Sequence, residues 1–94
     1  MPTLTADGNT QTYRVKGPVR VWSDGTDGGG TLTWYTRDEG GTFVALVGGA
    51  NTAAADQRFN FPEGAETILR GTLASSTTPT LKYGVEGNVE VIAG

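Results

Sequence analysis

An all-β fold is what this sequence predicts: a single antiparallel β-sandwich of seven or eight strands, with a compact jelly roll as the other candidate packing. Three observations predict it. Glycine occurs 15 times in 94 residues and is costly inside helices, while the many threonines favour strands. No window carries apolar residues at i, i+3, i+4 and i+7 over three turns. Short alternating runs stand instead between Gly, Asp, Asn and Pro, which is the pattern of a sandwich or barrel.

The first strand is expected over Thr10–Lys16, with Tyr13 and Val15 on one side and Arg14 and Lys16 on the other. Gly17-Pro18 interrupts it, and Pro18 suits a strand start or an edge. Val19 and Val21 then alternate with Arg20 and Trp22, and Ser23 to Gly30 reads as a loop. Thr31–Arg37 is the next strand, with Leu32, Trp34 and Thr36 on one face and Thr33 and Tyr35 on the other. Asp38-Glu39-Gly40-Gly41 supplies a tight turn, and Thr42–Val47 returns as the hairpin partner.

Phe43 to Val47 is apolar on both faces. Either the strand is central with both faces covered, or its outer face meets another chain. Gly48 to Asn51 closes it, and Ala53–Asp56 suits a brief turn. Gln57–Phe61 alternates with Phe59 and Phe61 inward, and Pro62-Glu63-Gly64 turns the chain. Thr67–Leu73 places Leu69 and Leu73 opposite Ile68 and Arg70. A Ser/Thr/Pro loop leads to Leu81, Tyr83 and Val85, and Gly87-Asn88 bends the chain before Val89, Val91 and Ile92.

The length allows one domain, and residues 1–12 read as an arm preceding a sandwich over 13–94. Only 36% of residues are hydrophobic, alanines included, which is thin against the entropy of ordering the chain. With no cysteine or histidine, neither a disulfide nor a structural zinc site is available. Association with itself or with a larger scaffold is the remaining device for a small domain. Net charge is −3, from seven basic and ten acidic residues. The basic residues are scattered singly, so nucleic acid is not an expected partner. No segment of 18 apolar residues exists, so a membrane is not expected either. The N-terminal residues lack the pattern of a signal peptide.

Catalysis is not expected. Without histidine or cysteine there is no imidazole base and no thiol nucleophile, and no serine sits in a Gly-x-Ser-x-Gly elbow. The acids fall mostly in turns, away from apolar surroundings that would raise a general acid's pKa. Asp24-Gly25-Thr26-Asp27-Gly28 offers oxygen ligands but lacks the EF-hand spacing, so it reads as a flexible loop. No catalytic residue, cofactor or metal is therefore assigned. The expected functional residues are contact residues: Trp22, Tyr35, Phe43 and Val47. Trp34 shares a face with Leu32 and is expected in the core.

Several segments carry a resemblance. Gly29-Gly30-Thr31-Leu32-Thr33-Trp34 leads into Arg37-Asp38-Glu39-Gly40-Gly41-Thr42-Phe43. Phe59-Asn60-Phe61-Pro62-Glu63-Gly64-Ala65 and Leu69-Arg70-Gly71-Thr72-Leu73 follow, and then Leu81-Lys82-Tyr83-Gly84-Val85. From Gly28 to Val85 the chain thus resembles a recurrent type of short β-sandwich protein encoded among the virion genes of tailed bacteriophages. That type includes capsid decoration proteins, head–tail adaptors and fibre-associated pieces. The resemblance implies a virion structural protein without choosing its position. Taken with the thin hydrophobic content, the Gly/Thr-rich turns and the absent chemistry, it leads to the expectation of a decoration or cement protein on the capsid surface, bridging subunits of the major capsid protein. It implies other virion proteins as partners and a homo-oligomer, with a trimer suiting capsid symmetry. The alternative is a head–tail adaptor, or a tail- or fibre-associated module that binds carbohydrate or a receptor.

Overall fold

Odd-numbered apolar residues from Tyr13 to Val21 share one buried side of a single strand, and that strand organises the molecule. The computed structural model describes residues 2–26, 28–38, 41–52 and 54–93. Within them run β1 (Thr3–Leu4), β2 (Gly8–Thr26), β3 (Thr31–Asp38), β4 (Val44–Asn51), β5 (Ala55–Phe61), β6 (Thr67–Ala74) and β7 (Thr80–Ala93). The described residues form no helix. Every strand pairing is antiparallel. The sheet order is β1-β7-β2-β6-β3-β4, and β5 pairs β2 off that path.

Strand β2 changes partner along its length. Its first half pairs β6 from Gly8 to Val15, and its second half pairs β5 from Gly17 to Ser23. Strand β7 follows it along the other side through both halves. The Gly17-Pro18 interruption expected from the sequence is therefore a bend within one strand. Gly17 has φ +62°. Pro18 pairs Asn60 of β5 but falls where the β7 ladder shifts register, between Lys16 and Val19. A residue without an N–H is tolerated at such a step. Ser23 to Thr26, expected as loop, continue the pairing against β7.

The bend sets two leaves of one sheet against each other. Where a sandwich would hold two separate sheets, here β2 and β7 run through both leaves. Trp34 on β3 and Tyr83 on β7 are not sheet neighbours, yet their rings meet edge-on with centroids 6.2 Å apart. The Gln11 backbone N–H donates to the Tyr83 hydroxyl at 2.9 Å. The core between the leaves holds Tyr13, Val15, Val19, Val21, Leu32, Trp34, Phe61, Leu69, Leu73, Leu81 and Tyr83. Burial, then the nearby Tyr83, pushes the Tyr13 phenol well above its ordinary pKa. Gly71 stands directly across from Trp34. A Cβ there would lie 3.1 Å from the indole, so glycine lets the ring lie flat on the neighbouring strand. The accessible surface, 5042 Å², is close to the roughly 5,200 Å² expected of a compact chain of this mass.

Of residues 1–12, expected as an arm, Thr3–Leu4 and the start of β2 from Gly8 lie within the same sheet. Thr3 and Leu4 pair Lys82 and Leu81, and Asn9 pairs Thr72. Buried Thr10 accepts the Gly71 N–H at 2.9 Å. Asp7 accepts the Ser76 N–H at 3.0 Å and also the Ser76 hydroxyl. Those bonds hold its carboxyl below the ordinary carboxylate range.

Candidate protein-contact surface

Alternation puts Thr12, Arg14, Thr33, Tyr35, Arg37, Ile68, Arg70 and Thr72 on the outer face of the leaf formed by β2, β6, β3 and β4. The register orders them in rungs: Glu90, Arg14, Ile68 and Arg37 form one, and Thr12, Arg70, Tyr35 and Ala45 the next. Ile68 points outward yet is only 2% exposed. Its cross-strand neighbours are Arg14 and Arg37, whose methylene stems are suited to cover it while their charged heads reach water.

Phe43 precedes β4 and is half-buried. Its ring centroid lies 4.2 Å from the Arg70 guanidinium carbon and 5.1 Å from that of Arg37. One ring thus serves two cations, an arrangement worth about 1 kcal/mol per pair when partly exposed. The Arg70 Nε is buried with no hydrogen-bond partner, and among the described residues no carboxylate pairs with Arg70. Arg14 differs. It reaches Glu90 at 2.6 Å, while its Nε lies 3.3 Å from Glu66. The second contact answers the charge without forming a hydrogen bond.

Strand β4 ends the sheet. From Thr42 to Ala55 the sequence carries neither a charged residue nor a proline, although edge strands are ordinarily guarded by both. Val44 is 66% exposed. The register with β3 is broken between the Tyr35–Ala45 and Thr33–Ala50 pairs, and Gly48 within that bulge has φ +77°. The Gln57 side chain donates to the Gly48 carbonyl at 2.5 Å. A hollow lined by Thr36, Arg37, Thr42, Val44 and Thr67 lies beside Phe43.

The outer face of the other leaf carries a closed ion-pair cluster around Arg20. Arg20 donates from Nε and Nη2 to the two oxygens of Asp56 at 2.9 and 3.0 Å, and from Nη1 to Glu86 at 3.0 Å. These bonds hold the Asp56 carboxyl below its ordinary range and raise the Arg20 pKa. Trp22 stands between Asp56 and Gly84 in the register. A Cβ at Gly84 would lie 2.5 Å from the indole, so this ring too lies flat on a cross-strand glycine. Its Nε1 is buried without a partner.

The structure thus separates the residues expected to make contact. Tyr35 and Phe43 both adjoin Arg70, whereas Trp22 lies on the other leaf, half-buried against Gly84. The Val47 side chain and all of Asp27 lie outside the described residues. Arg70, Arg37 and Val44 were missed because their significance depends on Phe43 folding back across two strands. Among the described residues, no group of three or more Asp or Glu comes together to hold a metal ion. No protein-family model matches the chain, and no curated protein or solved structure is similar to it.

Proposed function

We propose that this chain is a bacteriophage virion structural protein, a capsid decoration or cement protein that works by contact and not by turnover. Its contact surface is the outer face and free edge around β3 and β4, presenting Tyr35, Phe43 and Val44. The observation that carries this reading is β4, an uncharged, proline-free strand at the end of the sheet beside a stacked aromatic. Such an edge is a template for another chain's strand. The resemblance of Gly28 to Val85 to short virion β-sandwich proteins supplies the setting. A standard interface takes about 800 Å² from each partner, which a surface of 5042 Å² can supply from one face. Repeated around a shell, such contacts stiffen it through multivalency.

The test is mass analysis of purified virions made by a phage genome encoding this chain, before and after gentle stripping. A 9.8 kDa component released by stripping and restored by adding the pure chain is expected. Its absence from intact particles removes the reading. Sedimentation of the isolated chain tests the trimer. A second reading, a carbohydrate- or receptor-binding module on a tail or fibre, is favoured by Trp22, a large indole on an outer face. Glycan binding that is lost in Trp22→Ala would establish it.

A further inference from the structure

We infer that Arg70, held beneath Phe43, receives a carboxylate from an aspartate or glutamate of a partner protein. This rests on the contact-surface reading above and adds the chemistry of what docks there.

Among the outward arginines, Arg14 and Arg20 are answered by carboxylates of the chain itself. Arg20 holds Asp56 and Glu86, and Arg14 holds Glu66 and Glu90. Arg70 is offered a phenyl ring instead, and its Nε is buried without a hydrogen-bond partner. An unpaired, half-buried guanidinium is costly in a chain with ten acids available. Its neighbours keep it so: Thr12 and Tyr35 flank it across the ladder, and neither can neutralise a cation.

The stacking also prepares the site. Phe43 fixes the guanidinium plane, so less side-chain entropy is lost when a carboxylate binds. The free β4 edge lies one strand beyond Tyr35, where a docking segment can bring an acidic side chain over the ring. A net charge of −3 and the absence of any basic stripe disfavour a nucleic-acid phosphate as the occupant.

The test uses the full ¹⁵N-labelled chain and reads arginine Nε–H resonances during titration with acetyl-Glu-Glu-Glu-amide. Acetyl-Gln-Gln-Gln-amide and inorganic phosphate are run as separate arms. The Arg70 resonance is expected to shift saturably with the glutamate peptide, with a Kd on the order of 10 mM, and to stay still with the glutamine peptide. Arg14 and Arg20, already occupied, should move far less. Arg70→Gln should abolish the response of the Thr12, Tyr35 and Ala45 amides. Phe43→Ala should weaken binding several-fold while leaving the β5 amides in place. Equal shifts at all three arginines, no shift at Arg70, or tighter binding of phosphate than of the glutamate peptide would each overturn the inference. A chain that associates with particles but fails this titration loses only the carboxylate assignment. One that passes it but never associates with particles loses the function proposed above.

Discussion

Arg20 and Arg70 stand on the outer faces of the two leaves, and their surroundings are opposite. Around Arg20 two carboxylates make three hydrogen bonds, and the nearby indole of Trp22 lies flat on Gly84. There the cation is answered by the chain's own carboxylates. Around Arg70 the partner among the described residues is the Phe43 ring, the edge strand beyond β3 bears no charge, and Val44 stands in solvent. Both regions are built from alternating strands of similar composition. What separates them is where the acids fall: Glu86 faces Arg20 across the β7 ladder and Asp56 reaches it diagonally from β5, two residues from its register partner Arg58, whereas Arg70 faces Thr12 and Tyr35. A surface that leaves its cation and its edge unanswered is suited to being answered by another molecule.

The contrast can be broken or sharpened in several ways. The largest effect is expected inside the fold, as a scale for the outer faces. Trp34→Ala should lower unfolding free energy by about 3–5 kcal/mol, and Trp22→Ala by about 2 kcal/mol, since its ring is only half covered. Denaturant titration reads both, and equal losses would mean that the Arg20 leaf carries a second core. Next, Val44→Lys should weaken particle association about tenfold or more, because a lysine on an open edge blocks strand addition. Arg20→Gln should leave association unchanged, and a binding assay on stripped particles distinguishes the two.

Acid should then separate the regions. The carboxyls of Asp56 and Asp7 are depressed in the fold. Their stabilisation is complete above the ordinary carboxylate pKa of about 4 and is lost as pH falls through their lower folded-state values. Arg20→Gln removes the principal cause at Asp56, so its stability should fall less steeply below about pH 4 than that of the parent. Arg70→Gln should keep the parent slope. The smallest effect is expected at neutral pH. There Arg70→Gln should change stability by no more than about 0.5 kcal/mol, while Arg20→Gln lowers the thermal midpoint by leaving Asp56 and Glu86 uncompensated.

Much of the fold was legible because alternation is a local signal. The inward sets Leu32 with Trp34, Phe59 with Phe61, and Leu69 with Leu73 follow from it directly; all are buried except Phe59, which packs against the core partly buried. The continuity of β2 was not legible. Gly17-Pro18 reads as a break unless Asn60 and the register step in β7 are known, and both come from distant parts of the chain. Ser23 to Thr26 read as loop for the same reason, since their partners are Thr80 to Tyr83. Residues 1–12 read as an arm because Thr10 finds Gly71 only in the folded sheet. At the candidate site, Tyr35 and Phe43 were visible as aromatics outside the core pattern. The stacking on Arg37 and Arg70 was not, because Arg70 comes to the Phe43 ring from a distant part of the chain. The seat of Trp22 on Gly84 was not legible either, because a cross-strand glycine that accepts an indole cannot be recognised before register is known.

Backbone hydrogen exchange of the chain, free and bound to particles, tests the contact surface most directly. Slowed exchange on binding is expected in the Val44–Val47 stretch and at Phe43, with β5 and the segment around Trp22 unchanged. Protection confined to β5 and Trp22, with Val44–Val47 exchanging as in the free chain, would contradict it.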